Sequence, residues 1–246
     1  MTIRKNVQRI CHRTESGLNI PTGIVSDISQ SSTQTYLEIK EKAYAIEKLY
    51  SENKVPLPSS CDLVQLIENA KTLSDKWDLN RAKGETLEKL LRVYYFDRIA
   101  DAVLQLKNLP GCSKYLTDLT SGSLNFLERT NTKAKDIFWE IELWALLKKQ
   151  FFMTCLFDPP DIVVDLEDGK IGIACKKLYS EKHVQNVLSE AVSQIESSFD
   201  FGIVAINLDD LLVPAQQILS TPNQQTMEKI IDNLNTGFLK KHQRHL

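Results

Sequence analysis

The stretch PPDIVVDLEDGKIGIACKK, residues 159–177, decides the fold of this chain. It holds two short apolar runs, residues 162–166 and 170–176, both rich in β-branched side chains. The three residues between them are Glu, Asp and Gly, and glycine in so short a connection is typical of a hairpin turn. The sequence therefore predicts two antiparallel strands joined at residues 167–169.

The second of these strands alternates as a half-buried strand does. The alternation predicts two sets of side chains, with Ile171, Ile173 and Cys175 on one face and Gly172, Ala174 and Lys176 on the other. A lysine near the end of an apolar strand needs a reason, since an unpaired buried ammonium is costly. Lys176 is a candidate functional residue, and the alternatives are an edge-strand gatekeeper or a structural ion pair. Asp161 opens the first strand near the same face, where a plain turn residue after two prolines is the alternative.

The elements around the hairpin predict an α/β or α+β core, with a central mixed sheet flanked by helices. The expected order is a helix at 136–149, strands at 151–157, 162–166 and 170–176, a helix at 184–199, a strand at 202–208 and a helix at 227–241. Apolar residues at three- and four-residue steps predict a helical region before it. We expect three parts: an irregular, basic arm over 1–34, the helical region over 35–130, and the core over 131–246.

Composition excludes few function classes. The 246 residues are 42% hydrophobic and 25% charged, with a net charge of −2, as in ordinary soluble globular proteins. Nothing global indicates nucleic acid, although a local basic cleft stays open. Five scattered cysteines without metal or CxxC spacing indicate reduced thiols. No apolar run suits a membrane span or a secretory signal, so we expect a cytoplasmic protein without membrane contact.

Two glutamates on the helix before the hairpin have different predicted surroundings. Glu142 falls between Lys135 and Lys149, on a face expected to be charged and solvated. Glu140 falls between Trp144 and Leu147, inside the apolar surface. A carboxylate there must be paired, protonated or bound to metal, so Glu140 is the candidate, with a structural partner of a lysine as the alternative.

Together, Asp161, Glu140 and Lys176 suit metal-dependent hydrolysis of a phosphodiester. Carboxylates offer Mg²⁺ its preferred oxygen ligands, and a lysine supplies a cation beside the attacked phosphate. Gln194, on the margin of the following helix, can orient a water or a phosphate, or lie on the surface. Lys182 can approach phosphate as well, but a charged helix start explains it equally.

These residues resemble the PD-(D/E)XK nuclease superfamily, whose members share the restriction-endonuclease-like fold. The resemblance covers residues 133–208, about a third of the chain. Its motif residues correspond to Asp161, Lys176, the helix glutamate Glu140 and the glutamine Gln194. It implies a core of that fold, a Mg²⁺ or Mn²⁺ ion held by Asp161, Glu140 and the backbone carbonyl of Cys175, and DNA as substrate. Lys177 and Lys182 would hold the DNA backbone, and family members often serve restriction, repair or anti-phage defence.

The departure from the family pattern is Ala174, where Asp or Glu is usual. Three explanations stand: an alanine introduced to trap an inactive complex, a natural variant that holds its metal otherwise (Asp165 included), or a degenerate nuclease that only binds DNA or a partner protein. The mixed charge of the helical region favours a protein interface over DNA reading. A homodimer or a partner protein docking there is therefore expected, beside the alternative of a DNA-recognition module.

Overall fold

The computed structural model describes residues 8–13, 19–25, 36–78, 87–151, 153–166, 169–199, 201–212 and 224–243. The chain divides into two compact units, residues 1–35 and 36–246. In the first unit, strands β1 (Gln8–Arg13) and β2 (Asn19–Val25) form an antiparallel pair. We predicted an irregular arm over residues 1–34, and the paired strands differ from that prediction. Ile10 in β1 and Ile20, Ile24 and Val25 in β2 favour strands, but the basic residues around them made this preference hard to recognise.

In the second unit, helices precede the sheet, as the periodicity predicts. Their bounds are α1 (Tyr36–Glu52), α2 (Asp62–Asp78), α3 (Leu87–Val103), α4 (Cys112–Leu119) and α5 (Lys133–Lys148). Side chains from these five helices and from the sheet share one apolar core. The Nε1 of Trp144 on α5 donates to the carbonyl oxygen of Thr154 at 3.2 Å and so ties the last of these helices to the first strand of the sheet.

The sheet is mixed and has the order β3-β4-β5-β6. Its strands are β3 (Thr154–Leu156), β4 (Ile162–Leu166), β5 (Gly169–Lys177) and β6 (Phe201–Asn207). β4 pairs antiparallel with both β3 and β5. β6 follows the crossover helix α6 (Val184–Glu196) and pairs in parallel with β5. A short helix, α7 (Asp209–Leu212), and the long α8 (Gln224–His242) follow.

The mixed α/β class predicted from the sequence is confirmed. β4 and β5 pair from Leu166 with Gly169 onward, as the predicted hairpin requires, although residues 167 and 168 of its turn lie outside the described residues. β5 differs from the half-buried strand we expected. Gly172, Ile173, Ala174 and Cys175 are all buried, because α5 covers one face of the sheet and α6 covers the other.

Candidate functional site

Asp161 lies where β4 begins, and its carboxylate turns toward β5. Its Oδ2 accepts a hydrogen bond from the backbone N–H of Cys175 at 2.5 Å. Burial raises the pKa of Asp161, while that N–H bond and the charge of Lys176 work against the rise. Ile162 pairs with Ile173, so the register continued by one residue sets Asp161 opposite Ala174. The predicted approach of Asp161 to the face of Ala174 and Lys176 is therefore present.

Lys176 projects from the far half of β5 toward α6. Its Nζ lies 3.1 Å from Oε1 of Glu190, and its side chain is 16% exposed. The structural ion pair that the sequence left open is thus observed, with a partner that the sequence analysis did not name. Because Glu190 is itself largely exposed, water screens this pair, and it contributes little to stability.

Glu140 is a half-buried carboxylate of α5 beside other carboxylates. Desolvation and, after it, the charges of Asp161, Asp158 and Asp136 together raise its pKa to about 8, although Lys176 acts to lower it. Glu140 and Asp161 also raise the pKa of the Cys175 thiol, after burial. Glu140, Asp161, Cys175 and Lys176 therefore share one electrostatic neighbourhood, although α5 and α6 cover opposite faces of the sheet.

Ala174 is sealed beneath α6. It is 0% exposed and packs with Ala191 and Ile195 of that helix. The neighbouring positions are as tight, since a Cβ at Gly202 would lie 2.0 Å from Cγ2 of Ile195, and one at Gly172 would lie 2.9 Å from the ring of Phe199. Small residues let α6 approach the sheet closely, and the space that a family carboxylate would occupy is filled by this helix.

Gln194 lies on α6, half-buried, at the margin that the sequence predicted. Its Oε1 is buried and has no hydrogen-bond partner among the described residues. A buried polar atom without a partner costs free energy, so it marks a position where a water or a ligand group would be stabilising. Glu190 precedes it by four residues, which sets both side chains on one side of the helix.

The two lysines predicted to hold DNA differ in their surroundings. The side chain of Lys177 is 3% exposed, and its Nζ lies 2.9 Å from Asp210 and 3.2 Å from Oδ1 of Asn207. This placement withholds its ammonium from a phosphate backbone, because β5 alternates and turns Lys177 away from the face of Lys176. Lys182 is exposed at the start of the helical turn before α6, so its predicted DNA contact remains a prediction.

The face of α5 expected to be charged and solvated is charged but only partly solvated, since Lys149 is exposed, Glu142 is half-buried and Lys135 is buried. Oε2 of Glu142 accepts a hydrogen bond from Nη2 of Arg98 at 2.7 Å, and Oε1 accepts from Nε of the same guanidinium. Lys135 is buried, with its Nζ donating to the carbonyl oxygens of Glu128 and Thr130 at 2.7 and 3.1 Å. Burial lowers the pKa of Lys135. Arg98 of α3 covers part of this face. Local periodicity does not say which element will pack against a face.

Three residues near the site escaped the sequence analysis. Tyr115 of α4 has its pKa raised by burial and next by Glu140, which places the helical region against the candidate carboxylates. Phe157 donates its backbone N–H to the carbonyl oxygen of Asp161 at 2.9 Å. Glu190, the partner of Lys176, could have been found from one sequence signal, because its four-residue spacing from Gln194 sets both on one side of the helix.

The described part of the chain contains no group of three or more His, Cys, Asp or Glu side chains arranged to hold a metal ion. The metal predicted from Asp161, Glu140 and Cys175 therefore stays a prediction. The helical region carries a groove of about 260 Å³ between α3 and α5, with Tyr94, Arg98 and Leu146 in its lining. A protein partner on this region is likewise still a prediction.

No described helix combines the length and the apolar character needed to cross a membrane. Searches against known proteins add no relative: no family model, no curated protein and no solved structure matches this chain.

Proposed function

We propose that residues 131–246 form a restriction-endonuclease-like core and that the chain is a metal-dependent nuclease that hydrolyses phosphodiester bonds of DNA. The observation that carries the proposal is the contact between the Asp161 carboxylate and the backbone of β5. The Asp161 carboxylate lies 2.5 Å from the backbone nitrogen of Cys175, one residue before Lys176. The order helix, three antiparallel strands, helix and parallel strand supports the core assignment.

The electrostatics of the carboxylates fit a Mg²⁺ or Mn²⁺ ion. Glu140 and Asp161 are half-buried near each other. Desolvation, and after it the charges of Asp161, Asp158 and Asp136, raise the pKa of Glu140 to about 8, and a cation bound between the carboxylates would stabilise the ionised form that this surrounding disfavours. In a strand, the N–H and C=O of one residue point the same way, so the Cys175 carbonyl faces the side on which Asp161 lies. Asp161, Glu140 and this carbonyl are the groups that would hold the ion. When bound, the metal lowers the pKa of a water and polarises the phosphate.

The side chains themselves supply orientation and charge. Lys176 is the cation on the face of Asp161, where an ammonium stabilises the negative charge that develops on an attacked phosphate. Gln194, with its unpaired Oε1, can orient the attacking water through a hydrogen bond. In this arrangement Ala174 packs as a small residue beneath α6 and supplies no ligand to the ion.

Cleavage of linear, nicked and single-stranded DNA in Mg²⁺ and in Mn²⁺ tests this function. Lys176→Ala is expected to lower the cleavage rate at least about a hundredfold, because it removes a charge beside the phosphate. Lys170→Ala is the matched control, since Lys170 lies on the same strand, is exposed, and pairs only loosely with Asp165 at 3.6 Å. The Lys170 variant should cleave as the wild type does.

Cleavage that survives unchanged in Lys176→Ala would contradict the assigned site. Absence of cleavage in the wild type, on all three substrates and with both metals, would contradict the nuclease. The sealed position of Ala174 favours a second candidate in that case, a catalytically degenerate module that binds DNA or a partner protein. Such a module should show no thermal shift on addition of Mg²⁺ or Mn²⁺.

A further inference from the structure

Phe157 is an aromatic residue that the fold leaves half in solvent. It follows β3 directly and is 48% exposed. Its ring meets that of Phe199 edge to face, with centroids 6.4 Å apart and planes at 88°. Phe199 packs in turn over Gly172, where a Cβ would lie only 2.9 Å from its ring. The Phe157 ring is thus supported by the protein on one side, while much of its surface stays open.

The position of this ring relative to the candidate site follows from the register of the sheet. Leu156 pairs with Ile162, so the register continued by one residue sets Phe157 opposite Asp161, in agreement with the hydrogen bond between their backbones. Directly opposed residues of an antiparallel pair have Cβ atoms about 5 Å apart and side chains on one face. That face is the one that carries Ala174 and Lys176.

An open aromatic ring beside a carboxylate that would hold the catalytic metal suits an unpaired nucleobase. Aromatic side chains stack with bases of any sequence, and this stacking dominates the binding of single strands. A base inside a duplex is stacked between its neighbours and offers only its edges. An aromatic ring next to the scissile phosphate therefore discriminates between strand types rather than between sequences.

We propose that Phe157 is a stacking platform for one unpaired base, and that single-stranded DNA is the preferred substrate. This inference rests on the proposed nuclease function, because Lys176 and the ion that Asp161 would hold must bind the phosphate whose base the ring receives. Phe201 offers a contrast within the same sheet. It is 70% exposed, but it lies on the opposite face, since its neighbour Gly202 faces Ile195 of α6.

The test measures DNA affinity of the full chain by fluorescence anisotropy. A short labelled single strand and a hairpin duplex of the same sequence are titrated in Ca²⁺, which takes the same kind of oxygen ligands as Mg²⁺. Phe157→Ala is expected to weaken single-strand binding between about fivefold and about a hundredfold, and to leave duplex binding unchanged. Phe157→Tyr keeps the ring and should bind as the wild type does.

Two controls separate stacking from general damage. Phe201→Ala removes an even more exposed ring from the other face and should leave both affinities unchanged. Phe157→Leu keeps apolar contact with Phe199 but cannot stack. A Leu variant that binds the single strand as tightly as the wild type would overturn the platform, as would an equal loss on both DNA forms in Phe157→Ala. A wild type that neither binds nor cleaves any DNA would contradict the nuclease function, and the stacking platform would fall with it.

Discussion

The two faces of the sheet β3–β6 are packed in opposite ways. Toward α5, Ile173 and Cys175 join a large core that includes Trp144 and Ile141. Toward α6, the large side chains Ile195 and Phe199 pack onto small residues, among them Gly172, Ala174 and Gly202. Large side chains bury apolar area and stabilise the fold, whereas small ones bring a helix close to the strands. The close approach fills the position where the resembled family has its second strand carboxylate.

The largest expected effect comes from restoring that carboxylate. Ala174→Glu would bury a charge and four additional heavy atoms at a fully closed position, so we expect the free energy of unfolding to fall by about 4 kcal/mol or more. Urea denaturation measures the loss. Val192→Glu, on the exposed side of the same helix, is the control and should change stability by less than about 0.5 kcal/mol.

A stable Ala174→Glu variant with increased metal-dependent cleavage would contradict this prediction. It would mean that α6 can move away from the sheet and that position 174 can rejoin the site.

A smaller effect is expected from a single methyl group at the closest approach. The Cβ of Gly202→Ala would lie 2.0 Å from Cγ2 of Ile195, so the helix must shift, at a cost of about 1–3 kcal/mol in unfolding free energy. Gly237→Ala is the matched control in α8, because nothing lies within 4 Å of its added Cβ. Alanine stabilises a helix relative to glycine, so this control should gain up to about 1 kcal/mol. Equal thermal midpoints for the two variants would refute tight packing beneath α6.

The last prediction concerns the α5 side and depends on pH. Burial raises the pKa of Glu140 to about 8 in the folded protein, whereas the pKa of an unperturbed glutamate is about 4.3. Between these values the folded chain keeps a proton that the unfolded chain has lost, so the free energy of unfolding falls as pH rises through this window. Glu140→Gln cannot titrate, and its stability should fall less over the same window.

Thermal denaturation between about pH 5 and pH 9, without divalent metal, checks the sign of this effect. At the alkaline end, each 1 kcal/mol by which the unfolding free energy of Glu140→Gln exceeds that of the wild type corresponds to a midpoint higher by about 2–4 °C. Parallel profiles for the two proteins would show that Glu140 is already ionised at neutral pH.

Much of the fold could be predicted because its elements have strong local signals. Helical periodicity before residue 130 indicated the region that holds α1 to α4, the helix predicted at 136–149 corresponds to α5, and the short β-branched runs after it indicated the sheet. The glycine at position 169 indicated the hairpin of β4 and β5, which the pairing of Leu166 with Gly169 confirms. The β1–β2 pair was missed, since two short segments in a polar, basic stretch have a weak local signal.

The candidate site could be predicted only in part, for a reason visible in its contacts. Alternation along one strand set Ala174 and Lys176 on one face, which depends on neighbouring residues alone. The partners of the charged groups are far away in sequence: Arg98 for Glu142, Asp210 for Lys177. Periodicity assigns a residue to a face of its own element, but it does not say which element covers that face.

From residue 133 to residue 207 the sequence by itself determined the order of helices and strands, and it determined the antiparallel hairpin and the shared face of Asp161, Ala174 and Lys176. These features arise from backbone geometry and from patterns shorter than about twenty residues. Only the tertiary structure decided that α6 seals Ala174, that Glu190 pairs with Lys176, and that Phe157 stays open beside Asp161. Each of these depends on how closely two elements approach, and close packing sets that distance through all the side chains between them.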